Sequence, residues 1–180
     1  MKYDSRKDTL QHIEKVQGFL YEIIVRLKTR SENHDASKLG DKEKPTFDRT
    51  TPLLKGSTYG SDEYKQMLAD MKPALDHHYK NNRHHPEHFS YYECNGCFKR
   101  FPDTMPNVCD VCGYSQFTNR ADILRMNLID IVEMFCDWKA ASMRHNDGDI
   151  LNSIKINSKR FEIDNQLKSI LEQTVKDFGW

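Results

Sequence analysis

His12, His34-Asp35, His77-His78, His84-His85 and His88 form an ordered series that takes in seven of the chain's eight histidines, and a later segment adds Asp130, Glu133 and Asp137. Imidazole and carboxylate hold catalytic divalent metals while leaving coordination positions open, so histidine alternating with aspartate along a helical chain points to metal chemistry and to an enzyme. A second set is chemically separate. Cys94-x-x-Cys97 and Cys109-x-x-Cys112-Gly113 offer two thiol pairs with eleven residues between them. That is the spacing of two zinc knuckles, and four sulfurs leave no open position, so one closed, tetrahedral, structural zinc is expected there. Gly113 suits a tight turn in which backbone amides approach sulfur. Cys136 makes the cysteine count odd, which speaks against a disulfide framework, and it is expected to be a small core residue.

The elements that must position these groups are mostly helical. Ile13, Val16, Leu20, Ile23, Ile24 and Leu27 recur at spacings of three and four and predict an amphipathic helix over about Ser5 to Arg30, with His12 at the border of its buried stripe. The polar break SENHDASKL puts His34 and Asp35 at a helix end or in a short turn. Gly40 to Gly60 reads as a short helix flanked by loop. A further helix starts at Ser61, with Tyr64, Met67, Leu68, Met71, Leu75 and His78 on one face, Asn82 one turn beyond, and a kink expected at Pro73. This pattern separates His78, on the apolar stripe, from His77, off it. The helix should end at Asn81-Asn82, before His84, His85 and Pro86.

From about Ala121 to His145 the chain predicts a central, buried helix with Asp130, Glu133, Asp137 and Arg144 on one narrow face and apolar residues over most of the rest. Carboxylates buried there need a metal or a basic partner. Two shorter helices follow, near Ile150 to Phe161 and from an Asp164 N-cap to about Phe178. Taken one at a time, His77, His88 and His145 read as hydrogen-bonded structural residues, Asp130 as a helix charge paired with a surface lysine, and Lys38 as a solvated cation.

Length and composition allow one compact domain over residues 1–180, since 180 residues with 37% hydrophobic content can bury a substantial core. Twenty-seven basic and 27 acidic residues cancel, so no global field draws the chain to nucleic acid or an anionic membrane. No apolar run approaches the roughly 20 residues needed to span a bilayer, and the polar start MKYDSRKDTLQH leads us to expect a cytoplasmic protein. Between residues 93 and 118 the helical pattern stops. Phe98, Lys99, Arg100, Phe101, Tyr114 and Phe117 there can form an aromatic and basic surface for nucleic acid or protein, or serve as the packing of a metal-stapled hairpin, the reading we favour at neutral net charge.

The order His12, His34-Asp35, a helix histidine, His84-His85 and a helix aspartate resembles the H, HD, H, HH, D signature of the HD-domain superfamily of metal-dependent phosphohydrolases. His34-Asp35-Ala36-Ser37-Lys38 is similar to the HD-x-G-K variant of its dinuclear branches, with Ser37 in place of the glycine. HDASKL, HHYKNNRHHPEHF, EMFCDWKAA and RHNDGD more closely resemble an uncharacterised family of bacterial and bacteriophage proteins. The resemblance implies a mainly α, HD-like helical bundle with a small zinc-ribbon insert. It also implies one or two divalent transition metals (Mn, Fe, Co, Ni or Zn), with His12, His34, Asp35 and Asp137 on a first metal and His78 with His84 or His85 on a second. Lys38 and Arg144 would hold an anionic group of a small substrate, and Glu133 would be a ligand, an orienter or a general acid/base.

The leading expectation is a phosphohydrolase acting on a nucleotide or small phosphate ester through metal-activated hydroxide. A mixed-valent di-iron oxygenase uses a similar ligand order. In a third reading the ribbon binds nucleic acid or protein and the helical site is not catalytic. Substrate, native metal and oligomeric state are not encoded legibly.

Overall fold

The computed structural model describes residues 3–56, 61–102, 104–144 and 148–180, so His145 lies outside the described residues. Helix accounts for 64% of the chain and strand for 7%, which makes the fold mainly α. The chain divides into two units, Met1–His34 and Asp35–Trp180.

The first unit is a single helix, α1 (Arg6–Asn33). None of its residues is buried, so His12 stands exposed instead of bordering a buried stripe. The helix stops where the sequence turns polar: His34, its C-cap, leaves helical geometry at φ −54°, ψ 126°. Asp35 then adopts the left-handed region at φ 56°, ψ 15°, which aspartate tolerates better than most side chains because its short carboxylate can bond locally.

The second unit begins with a 3-10 turn over Ala36–Leu39 and α2 (Lys44–Gly56), then α3 (Asp62–Asp70) and α4 (Lys72–Asn81). The expected kinked helix is thus two helices. Pro73 has no N–H to donate and its ring would collide with the preceding turn, so it sits in the first turn of a new helix, where neither cost arises. Met71, at the break, is 1% exposed and anchors the junction.

α5 (Leu128–Ser142) starts later than its hydrophobic pattern suggests. Residues Ile123–Arg125 form a separate 3-10 turn, and Asn127 sets the true start through a reciprocal capping box with Asp130. Leu128 is exposed, and so is Cys136, so the helix is not apolar and buried all round and Cys136 is not a core residue. Its inner face carries Met134, Phe135 and Trp138 onto α6 (Ile150–Arg160) and α7 (Asn165–Phe178), where Ile150, Ile154, Leu171 and Val175 complete the core. Trp138 stacks on Phe161 at 6.3 Å between ring centroids. As the sequence predicts, Asp164 caps α7, its carboxylate accepting from the Leu167 amide.

Between α4 and α5 lies a three-stranded antiparallel sheet, β1 (Tyr91–Cys94), β2 (Arg100–Pro102) and β3 (Phe117–Arg120), with β1 central. Tyr91 stands opposite Pro102 on one side and Arg120 on the other. Among the described residues no helix is long and apolar enough to cross a membrane.

Candidate metal centre

Met71, the N-cap of α4, and Ala74 and His78 on that helix follow one another at helical spacing and are 1%, 2% and 1% exposed, so the buried stripe read from the sequence carries His78 inward. Asn82 ends the helix one turn later. One hydrogen of its amide goes to the His78 carbonyl at 2.8 Å and the other to Ser37 Oγ at 2.7 Å. The chain then turns, and Pro86 opens a 3-10 turn after His84 and His85, which keeps both histidines off a helix and free to face α4.

Four side chains of the second unit converge. Asp35, His78, His84 and His85 each offer one ligand atom within 4.8 Å of the others. Asp35 Oδ1 lies 3.2 Å from His78 Nε2 and 3.4 Å from His84 Nε2, and the Nε2 atoms of His78 and His85 are 2.9 Å apart. Donors held at ~2.1 Å from one metal stand ~3.0 Å apart on an octahedral edge and ~3.4 Å apart on a tetrahedral one. The observed gaps therefore fit a single coordination sphere.

Electrostatics agree with that use. Burial alone would raise the pKa of Asp35, but hydrogen bonds from His78 and His84 and the Lys38 ammonium outweigh it and keep the carboxylate ionised far below its usual range. Burial, then the nearby His84 and His78 rings, drives His85 down to about 3. Its imidazole is neutral near pH 7 with a lone pair to give.

Behind the convergent atoms stand two carboxylates. Glu133 Oε1 lies 3.2 Å from His84 Nδ1, which makes Glu133 an orienter of that ring. Glu43, from the turn before α2, is 0% exposed and sits 2.9 Å from His78 Nδ1 and 2.6 Å from His77 Nδ1. The sequence reading missed Glu43, because nothing periodic surrounds it and its partners are 34 and 35 residues away.

The remaining residues distribute as follows. Asp137, half-buried, brings a carboxylate oxygen within 4.8 Å of a His84 ring nitrogen. His12 and His34 belong to the first unit, one exposed on α1 and the other its C-cap. Lys38 does reach the cluster, but its ammonium lies 2.5 Å from Asp35 Oδ2 and over the Phe47 ring, so it is neither a solvated cation nor pointed at open space. Arg144 is exposed in the turn after α5. Asp130 separates from the acid stripe: it is 0% exposed, its carboxylate accepts from Arg83 Nε at 3.2 Å and Nη2 at 3.0 Å, and it caps α5 through the Asn127 amide at 3.1 Å. His88 Nδ1 bonds the Tyr79 carbonyl at 2.9 Å, a structural use.

The cysteines form a second, independent centre. Cys94, Cys97, Cys109 and Cys112 bring all four sulfurs within 4.8 Å, with Cys94–Cys112 and Cys97–Cys109 both at 3.5 Å. Zinc–sulfur bonds of ~2.3 Å put tetrahedral neighbours ~3.8 Å apart, close to those separations. Four cysteines so clustered can bind a zinc. The backbone turns toward the sulfurs as expected: Gly96 N donates to Cys94 Sγ at 3.4 Å, and Gly113 takes φ 72°. Burial would raise the Cys109 thiol, but amides of Cys112 and Val111 hold it down to about 7. Cys112, despite a backbone bond from Tyr114, is pushed up to about 12 by burial and its fellow thiols. A cation among the four sulfurs would favour their thiolate forms together.

The aromatic and basic residues of the insert mostly serve each other. Phe101 and Phe117 meet edge to face at 5.6 Å, Lys99 pairs with Asp110 at 2.6 Å, and Arg100 lies over Tyr91 at 4.7 Å. Phe98, at φ 60°, and Tyr114 are exposed.

No curated protein and no solved structure matches the chain. One family, described as a family of unknown function (DUF5662), matches residues 1–177.

Proposed function

The chain belongs to that family, and from its side chains we propose that it is a metal-dependent phosphohydrolase acting on a nucleotide or another small phosphate ester. One observation carries the reading: three imidazole nitrogens and one carboxylate oxygen of the second unit meet at coordination spacing, with the carboxylate ionised and His85 neutral. Asp35, His78, His84 and His85 would hold a divalent cation, which would supply activation of water near neutral pH.

The chain's own residues do the rest. Asp35 offers one oxygen to the cluster while its other oxygen rests on Lys38, so the carboxylate is fixed in orientation and its charge partly offset. Glu133 holds the His84 ring through Nδ1 and turns Nε2 toward Asp35. Lys38, paired with Asp35, is a cation at the cluster and would bind a phosphate oxygen by exchanging it for Asp35 Oδ2. The substrate class follows from the resemblance of the H, HD, H, HH, D order, which is a likeness of pattern.

The test begins with metal content. Protein purified without chelator should carry metal beyond the one zinc of the cysteine centre, and a stoichiometry of one zinc per chain would sink the proposal. A panel of nucleotides and generic phosphate esters with added Mn, Co or Ni should then release phosphate, and Asp35→Ala should abolish the release with helical content unchanged. Oxygen consumption with visible iron absorbance and no phosphate release would transfer the site to oxygenase chemistry.

A further inference from the structure

Glu43 lies outside every motif that brought the metal centre to notice and Ser37 departs from one of them, yet together they close a proton count that the centre depends on. The Glu43 carboxylate is fully buried and faces two rings at once, His77 Nδ1 at 2.6 Å and His78 Nδ1 at 2.9 Å. Ser37 Oγ also bonds Glu43, and it lies 3.2 Å from His78 Nδ1, a longer contact than that ring atom makes to the carboxylate. An ionised carboxylate only accepts, so each ring must present Nδ1–H to Glu43.

The neighbouring amide does not compete. Asn82 Nδ2 comes within 3.0 Å of His78 Nδ1, but its two hydrogens are already directed to Ser37 Oγ at 2.7 Å and the His78 carbonyl at 2.8 Å. Ser37 thus accepts from Asn82 and passes its own hydrogen on to Glu43. The serine that departs from the glycine of the HD-x-G-K variant is one part of this chain of bonds, and the buried glutamate is the other.

We propose that Glu43, seated by Ser37, is a positioning residue that holds the Nδ1–H of His78, so that Nε2, 3.2 Å from Asp35 Oδ1, is the ring atom turned to the cluster, where a cation would replace any proton shared with Asp35. The role rests on the metal reading of the site and adds the residue that sets one ligand's proton. Glutamine at position 43 is nearly isosteric but has a single acceptor oxygen and an NH2 group that donates. With its NH2 toward His78 it favours Nε2–H there and removes that lone pair from the cluster; with its NH2 toward His77 it keeps His78 Nδ1–H but lacks the carboxylate's charge, so the ring is a weaker ligand either way.

Two measurements decide it. In the metal-free wild type, with the cysteine centre zinc-filled, long-range 1H–15N correlation of the histidine rings should report Nδ1–H for His78, and a ring protonated at Nε2 but not at Nδ1 would overturn the assignment outright. Manganese(II) titration followed by electron paramagnetic resonance should then show Glu43→Gln binding roughly 10–100-fold more weakly than wild type, with Ser37→Ala losing less. Unchanged affinity in Glu43→Gln, while Asp35→Ala abolishes binding, defeats the role of Glu43 alone. Absence of manganese binding in the wild type defeats the metal reading, and the tautomer measurement still judges Glu43. Should Glu43→Gln not fold, the wild-type spectrum and Ser37→Ala carry the test.

Discussion

Arg83→Met separates the structural part of the acid stripe from its chemical part. Asp130 is fully buried, and two of its hydrogen bonds, at 3.2 and 3.0 Å, come from one guanidinium. Removing the cation from a fully buried pair costs ~3–5 kcal/mol. Here the Arg83 side chain is 44% exposed while Asp130 is at 0%, so water can approach from the arginine side, and the cost falls to about 2–3 kcal/mol. Arg83 also covers the Phe89 ring at 4.7 Å, a contact that methionine partly replaces. At roughly 2–4 °C per kcal/mol for a chain of this size, the melting temperature should fall by about 4–12 °C. Asp130→Asn removes the charge yet keeps an oxygen for the Asn127 amide, so adding it to Arg83→Met should recover at least about 1 kcal/mol. The assay is thermal unfolding by circular dichroism on the four members of the cycle, with metal content measured on each. A melting shift below about 2 °C, or single effects that add within about 0.5 kcal/mol, would refute the pairing. A loss of metal from Asp130→Asn would return Asp130 to the metal centre.

Other perturbations have equally definite outcomes. Glu133→Gln should weaken manganese binding by roughly 10–100-fold with little change in helical signal; equal affinity would remove Glu133 from its place behind His84. Extracting zinc, or Cys94→Ser, should abolish hydrogen-exchange protection of the Cys94 and Cys109 amides, which now bond to the Lys99 and Tyr114 carbonyls. Persistent protection would show that the ribbon holds without metal. Stability of the protein lacking its second metal should fall as pH drops from about 6.5 toward 3, because His85, held down to about 3, refuses a proton that the unfolded chain accepts. His85→Ala should flatten that slope by up to about 1.4 kcal/mol per pH unit, and an unchanged profile would contradict the buried, neutral ring.

The sequence carried the local half of this molecule well. Helical spacing separated His78 from His77, and both positions follow: one is buried at the cluster, the other half-buried behind Glu43. The two thiol pairs needed only counting. Asp130, Glu133 and Asp137 were legible as acids in need of partners, but not as acids with different ones. Arg83, which satisfies Asp130, sits in a loop without period, 47 residues from its partner. Asn127-x-x-Asp130 was a readable capping signal, and giving it more weight than the apolar pattern would have started α5 at Leu128 instead of near Ala121. Cys136 shows the opposite error: a small residue among apolar neighbours was assigned to the core, although its position on the helix turns it to solvent. Glu43 was invisible because a contact across 35 residues leaves no mark in a single sequence.

The pairing of Tyr91 with Arg120 has a consequence for how the chain can be rebuilt. Residues facing each other in an antiparallel pair stand about 5 Å apart, so the polypeptide departs into the cysteine ribbon and comes back at one doorstep. Everything between those two residues is a closed excursion. Cutting the excursion out and joining its ends with a two-residue turn asks no other element to move. The ribbon is in that sense a cartridge, one that can be removed, or moved to another host with its own metal.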